Sequence, residues 1–172
     1  MHLTPTTEKK INTINLDQHI LIVLDKSGSM SGSPIENSKQ GIQEMVKFFR
    51  ESHLNNITFI TYDSNAYTTD FHKLSPEDQN KEIAKVNGGG GTTFKAAFDK
   101  ITESVKLHNS TDVKVIFFTD GEDGSAKGHL AGLGEFFKGV SQSEFHTIGF
   151  RENHDVDLLS KITTLGSKPG TF

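Results

Sequence analysis

The fold of this chain is decided by the stretch His19-Ile20-Leu21-Ile22-Val23-Leu24-Asp25-Lys26-Ser27-Gly28-Ser29-Met30. Its first half is a continuous run of aliphatic residues, which is typical of a central parallel strand covered on both faces. Its second half changes at once to polar residues and a glycine, which indicates that the strand ends at Asp25 and passes into a loop. The stretch therefore predicts a buried strand whose carboxyl end carries oxygen-bearing side chains.

Similar apolar runs recur along the chain, between longer segments with apolar residues at helical spacing. This alternation predicts a layered α/β fold. The short connection between the second and third runs, Asp63-Ser64-Asn65, predicts an antiparallel hairpin at one sheet edge. We therefore expect a doubly wound, mostly parallel, Rossmann-like sheet with one antiparallel edge strand and helices on both faces. The predicted strands are His19 to Asp25, Asn56 to Tyr62, Ala66 to Phe71, Val113 to Thr119 and Glu144 to Phe150.

Five helices are predicted from apolar stripes and from capping signals. The first runs from Pro34 to Ser52, and Ser33-Pro34-Ile35-Glu36 is interpreted as its capping box. Two further stripes begin at Phe94 and Leu130. Shorter helices are predicted from Ser75 to Lys85, with Ser75 as N-cap, and from Asp155 to Leu165.

The length of 172 residues is that of one domain with one core. Residues 1 to 15 are expected to be a polar lead-in, in which Ile11 and Ile14 could form an edge strand. Residues 16 to 172 are expected to form the domain. Because the sequence ends on a turn-like Lys168-Pro169-Gly170 segment, the domain is a candidate for the N-terminal part of a longer protein.

Composition argues against several classes of protein. The longest unbroken apolar run is Ile20 to Leu24, and the N-terminus lacks the regions of a signal peptide, so no membrane segment is expected. The absence of cysteine excludes disulfides and thiolate metal sites and fits a cytoplasmic location. The net charge is −4 and no basic cluster is present, so nucleic acid is not an expected partner. The oligomeric state is left open.

Three predicted loops are rich in oxygen-bearing side chains or glycine. They are Asp25 to Met30 after the first strand, Gly88 to Thr93 before the second long helix, and Thr119 to Asp123 after the fourth strand. Open α/β sheets bind ligands at the carboxyl ends of their strands, where these loops are expected to meet. Carboxylate and hydroxyl oxygens suit a hard divalent cation, with Mg²⁺ expected first and Ca²⁺ or Mn²⁺ as alternatives.

The Asp-x-Ser-x-Ser pattern, the Gly-Gly-Gly-Thr loop and the Thr-Asp-Gly loop resemble the metal-ion-dependent adhesion site of von Willebrand factor A domains, and the resemblance spans nearly the whole chain. It implies that Ser27, Ser29 and Thr92 contact the metal, while Asp25 and Asp120 act directly or through water. It also implies that an Asp or Glu of a partner protein completes the coordination. The rim expected to contact that partner comprises Met30, Ser31, Gly91, Thr93, Gly121 and Glu122.

Each motif alone also has an ordinary structural interpretation. The segment Asp25 to Ser29 could be a capped turn, Thr92 could be the N-cap of the following helix, and Asp120-Gly121 is a common turn pair. Their joint occurrence in this order is what favours a metal site. A structural metal in a scaffold that binds partners through another surface remains an alternative.

The best enzyme alternative is a Mg²⁺-dependent phosphohydrolase of the haloacid dehalogenase type. That chemistry needs a second acid two residues after the nucleophilic aspartate, and this chain has Ser27 there. A P-loop needs a lysine after its glycines, whereas this glycine run continues with Thr92-Thr93-Phe94. The sequence therefore favours a metal-dependent protein-binding module that is not an enzyme.

Overall fold

The central strand predicted from the opening stretch is present as β1, His19–Asp25, and every residue of it is buried. The structure is a computed structural model that describes residues 17–120, 123–150 and 155–172. The lead-in expected at residues 1 to 15 lies outside the described residues. The central position of β1 means that its carboxyl end opens at the middle of the sheet.

Five strands form one sheet in the order β3-β2-β1-β4-β5. β1 pairs in parallel with β2 and with β4, and β4 pairs in parallel with β5. β2 and β3 are antiparallel, which confirms the predicted hairpin at one edge. The predicted mostly parallel sheet is therefore confirmed. The strands other than β1 are β2 Ile57–Tyr62, β3 Ala66–Asp70, β4 Asp112–Thr119 and β5 Gln142–Gly149.

Helices cover both faces of the sheet, as predicted. They are α1 Ser33–Glu51, α2 Pro76–Ala84, α3 Phe94–Leu107, α4 Leu130–Lys138 and α5 Val156–Ile162. Alternate residues of β1 point to opposite faces. Leu21 and Val23 pack in one core with α3, α4 and α5, and Ile20 and Ile22 pack in the other with α1 and α2. None of the helices in the described part of the chain is both long and apolar enough to span a bilayer.

The capping box predicted at Ser33 is wrong. The N-cap of α1 is Gly32, which has a φ of 86° and makes no side-chain capping bond, and Ser33 is already helical. The chain reaches α1 from a tight turn at Gly28–Met30, and the positive φ at Gly32 moves the helix start one residue earlier. The prediction for Ser75 is confirmed, because its side chain accepts a hydrogen bond from the N–H of Asp78.

The last residues of the chain lie along the outer edge of β5. The N–H of Lys168 donates to the carbonyl of Ser143 at 3.0 Å, and the N–H of Thr147 donates to the carbonyl of Thr171 at 2.9 Å. A Cβ added at Gly170 would collide with the carbonyl oxygen of Phe145. This close approach covers an edge that would otherwise expose unpaired backbone groups.

The substitution Gly170→Ala is expected to lower the free energy of unfolding by about 1–3 kcal/mol, because the added methyl group forces the backbone segments apart. Urea denaturation measures the change. The control is Gly132→Ala on α4, where no atom lies within 4 Å of an added Cβ. That variant should be neutral or stabilised by up to about 1 kcal/mol. Wild-type stability in Gly170→Ala would contradict the close contact with β5.

Candidate metal centre

Two backbone hydrogen bonds join the loop after β1 to the glycine loop before α3. The N–H of Gly28 donates to the carbonyl of Gly90 at 2.9 Å, and the N–H of Gly89 donates to the carbonyl of Lys26 at 2.8 Å. Gly90 has a φ of 87°, which glycine adopts without steric cost. The glycine run therefore packs closely against the loop after β1 and is not only a flexible connection.

The Asp-x-Ser-x-Ser pattern brings its three side chains together. Oδ1 of Asp25 accepts a hydrogen bond from the N–H of Ser27 at 2.8 Å. The hydroxyl oxygens of Ser27 and Ser29 lie 3.0 Å apart. Asp25 and Ser27 are buried, whereas Ser29 is partly exposed. The predicted convergence of these oxygens at the carboxyl end of β1 is present in the structure.

Two hydrogen bonds between buried side chains connect Asp25 to Thr119 and Thr119 to Tyr62. The hydroxyl of Thr119 donates to Oδ2 of Asp25 at 2.8 Å, and the hydroxyl of Tyr62 donates to Oγ1 of Thr119 at 3.3 Å. The direction follows from chemistry, because an ionised carboxylate only accepts and the single proton of Thr119 is therefore used on Asp25. Burial raises the pKa of Tyr62 well above its usual value, which keeps its hydroxyl protonated as a donor.

The supporting roles of Tyr62 and Thr119 were not predicted from the sequence, because both residues lie inside predicted strands. The available signal was a polar group at the end of each apolar strand beside β1. Asp123 was missed as well. Its Oδ2 accepts a hydrogen bond from the N–H of Phe94 at 2.8 Å, which ties the loop after β4 to the first residue of α3. All three loops are thus connected through hydrogen bonds.

Two acidic side chains, Asp25 and Asp120, are fully buried at this end of the sheet. β1 and β4 are parallel neighbours with Leu24 opposite Phe118, so the two strands end side by side. Burial raises the pKa of Asp25, and the nearby charge of Asp120 raises it further, against hydrogen bonds from Ser27 and Thr119 that lower it. A cation beside the two carboxylates would offset the cost of keeping both ionised.

Thr92 lies in the glycine loop and is partly exposed. The alternative interpretation of Thr92 as a helix N-cap is wrong, because the N-cap of α3 is Thr93, which makes no side-chain capping bond. The N–H of Thr93 donates instead to the carbonyl of Asp63 at 2.9 Å. This bond holds the loop that carries Thr92 against the turn after β2, and the backbone bonds of Gly89 and Gly90 hold it against the loop after β1.

The structure corrects one residue of the predicted rim. Met30 is fully buried, because the turn at Gly28–Met30 directs its side chain into the core that contains Ile22. It therefore cannot contact a partner. Ser31 and Gly91 are exposed and Thr93 is partly exposed, as a rim requires. The remaining two predicted rim residues, Gly121 and Glu122, lie outside the described residues.

The chemistry of the five predicted ligands fits a hard cation. Across residues 17–120, 123–150 and 155–172, no group of three or more His, Cys, Asp or Glu side chains is arranged to hold a metal ion. The five predicted ligands are not such a group, because only two of them are carboxylates and the other three are hydroxyls. Oxygen donors with one or two carboxylates are typical of Mg²⁺ sites in proteins. The residues that could hold such an ion are Asp25, Ser27, Ser29, Thr92 and Asp120.

A known family accounts for nearly all of the described chain. The model of the von Willebrand factor type A domain matches residues 19–172. The chain belongs to the von Willebrand factor type A domain family. Domains of this family are protein-interaction and adhesion modules and are generally not enzymes.

Solved structures share the fold of this vWA domain. The PilB minor pilin from Streptococcus sanguinis superposes with a TM-score of 0.69 at 14% identity, over 93% of this chain and 57% of that chain. The conserved hypothetical protein BatB from Bacteroides thetaiotaomicron superposes with a TM-score of 0.65 at 18% identity, over 90% of this chain and 88% of that chain. At these identities the likeness concerns the fold alone.

A curated relative extends well beyond the vWA domain. Inter alpha-trypsin inhibitor heavy chain 4 of Mus musculus is 22% identical over 121 residues, which cover 64% of this chain. The match spans only 13% of the length of that relative. The likeness is therefore to one part of a longer protein.

The substitution Thr119→Val is expected to lower the free energy of unfolding by about 1–3 kcal/mol, because it removes the acceptor of the buried Tyr62 hydroxyl and the donor to Oδ2 of Asp25. Tyr62→Phe removes only one hydroxyl and should cost less. In the double variant, Tyr62→Phe should cost less than it does alone, since its partner is already absent. Additive losses in urea denaturation would show that the two hydroxyls are not coupled.

Proposed function

We propose that this vWA domain binds a partner protein through a divalent cation, and that an Asp or Glu of the partner completes the coordination of that cation. Ser27, Ser29 and Thr92 would hold the ion directly. Asp25 and Asp120 would act directly or through water. Mg²⁺ is the expected ion, with Ca²⁺ or Mn²⁺ as alternatives.

The observation that carries this proposal is the contact between the Ser27 and Ser29 hydroxyls beside the buried carboxylate of Asp25. Oδ1 and Oδ2 of Asp25 each accept a hydrogen bond from the protein. Those bonds fix the carboxylate, and each oxygen keeps a lone pair for the ion or its water. Neutral hydroxyls do not cancel the charge of a cation, so much of its field remains for an external anion. A carboxylate from a partner is the matching ligand.

The same geometry favours binding over catalysis. A phosphohydrolase of the haloacid dehalogenase type needs a nucleophilic aspartate, for which Asp25 is the candidate, and a second acid two residues later. The position two residues later is Ser27, which cannot act as the proton donor that this chemistry requires. We therefore propose that the domain is not an enzyme.

Magnesium is expected to raise the melting temperature of the wild-type domain, because an ion that binds only the folded state stabilises it. Ser27→Ala should lose most of this rise, since a hydroxyl ligand is removed. The matched control is Ser141→Ala, which changes an exposed serine outside the site and should keep the full rise. Thermal unfolding at several Mg²⁺ concentrations measures the effect. An equal rise in Ser27→Ala would exclude that side chain as a ligand.

Partner binding is expected to need both the ion and Ser27. Immobilised wild-type domain should retain a protein from a cell extract in Mg²⁺ and release it in EDTA, and Ser27→Ala should retain none of it. Retention that survives EDTA would favour a scaffold that binds through another surface. Hydrolysis of a generic phosphate ester in Mg²⁺, abolished by Asp25→Asn, would instead establish an enzyme.

A further inference from the structure

A groove opens beside the candidate metal centre, over the outer pair of strands β2 and β3. Its volume is about 440 Å³. Phe59 pairs with Thr69 and Thr61 pairs with Tyr67, so these side chains share one face of the hairpin. The end of α2 and the segment that follows it form the opposite wall. We call this surface the Tyr67 groove.

The Tyr67 groove and the candidate metal centre are connected through two segments, the loop after β1 and the start of the glycine loop. Lys26 lines the groove and directly follows Asp25. Its N–H donates to the carbonyl of Tyr62 at 2.8 Å, and its carbonyl accepts from the N–H of Gly89 at 2.8 Å. Asn87, which also lines the groove, directly precedes the glycine loop. A partner seated on the cation would therefore have its neighbouring residues beside this groove.

The groove offers an apolar surface to a ligand. Phe59 and Val86 are exposed by only 2% and 8%, so they form part of the floor, whereas Tyr67 is 52% exposed and forms a wall. The ammonium group of Lys26 lies 5.0 Å from the centre of the Tyr67 ring. That distance is within the range of a cation–π interaction, which restrains the exposed ring on the edge strand β3. Such a surface suits one apolar side chain.

The groove lining offers two ammonium groups, although the chain as a whole is acidic. The chain has a net charge of −4. The groove lining contains Lys26, Lys85 and one acidic residue, Glu82, so two of its three charged side chains are lysines. Each lysine already contacts one carboxylate, Asp63 at 3.1 Å for Lys26 and Glu82 at 2.7 Å for Lys85. An ammonium group has three donors, so each lysine can also bind a carboxylate of a ligand.

We propose that the Tyr67 groove binds the segment of the partner next to its metal-binding acid, and that it selects a segment with one apolar side chain and a second carboxylate. The proposal rests on the proposed function of the metal centre. The cation would supply attachment, and the groove would supply specificity. Two acidic residues with an apolar residue between them are the expected recognition pattern.

The test uses synthetic peptides and the ¹⁵N-labelled domain in Mg²⁺, observed by NMR up to millimolar peptide. The two-acid peptides carry Asp, then Phe, then Glu in a Gly-Ser background, with three different spacings between the acids. The one-acid peptide carries only the Asp. At least one two-acid peptide should shift the amide signals of Thr61, Tyr67 and Val86 and should bind more tightly than the one-acid peptide.

Lys85→Gln should weaken binding of that two-acid peptide by about two- to fivefold, because one partly exposed ion pair is lost. It should leave the one-acid peptide unchanged. The matched control is Lys138→Gln. Lys85 is 68% exposed and lies 2.7 Å from the acid three residues before it, and Lys138 is 75% exposed with the same spacing and distance. Tyr67→Ser removes the aromatic wall and should also weaken the two-acid peptide.

The outcomes distinguish failure of the groove proposal from failure of the proposed metal-dependent binding. Shifts confined to the loop after β1, or equal affinities in Lys85→Gln and Lys138→Gln, would overturn the groove while leaving Mg²⁺-dependent binding intact. Groove shifts that persist in EDTA and in Ser27→Ala with unchanged peptide affinity would overturn the proposed function and retain the groove. Protection of the same amides by self-association, seen as a dimer in light scattering, would assign the groove to a second copy of the chain instead.

Discussion

The buried carboxylate of Asp25 is the constraint on which the rest of the site depends. It ends the central strand, so it lies at the middle of the sheet where neighbouring loops meet. A charge in such a position is costly unless hydrogen bonds or a cation compensate it. The N–H of Ser27 and the hydroxyl of Thr119 supply the hydrogen bonds. The loop after β1 and the end of β4 are thereby fixed around one carboxylate.

The two buried carboxylates cost the folded domain some stability. Burial and the charge of Asp120 raise the pKa of Asp25, which means that the folded protein disfavours its ionised form. A core of the same shape without two carboxylates would avoid this cost, and functional sites commonly retain such costs. A divalent cation would recover part of the lost free energy on binding. The electrostatic cost in the free domain and its proposed affinity for an ion would then have the same origin, which is the pair of buried carboxylates.

Much of the fold was predictable, because its signals are local in the sequence. The apolar run before Asp25 identified β1, and the short Asp63-Ser64-Asn65 connection identified the edge hairpin. The hydroxyls of Ser27 and Ser29 do lie together, but the tight turn at Gly28–Met30 brings them there and not the alternation of an extended chain. The inward position of Met30 and the start of α1 at Ser33 were not predictable, because both depend on a turn whose dihedral angles the residue types do not specify. The contact of Tyr62 with Thr119 joins separate strands and needs the strand order.

The most direct test of the account is a crystal structure grown in Mn²⁺, with anomalous diffraction measured at the manganese edge. One anomalous peak is expected, bounded by the side chains of Ser27, Ser29 and Thr92, with metal to oxygen distances of about 2.0–2.3 Å for the direct ligands. A saturated crystal with no peak at this position, or with these oxygens too far apart to share an ion, would contradict it.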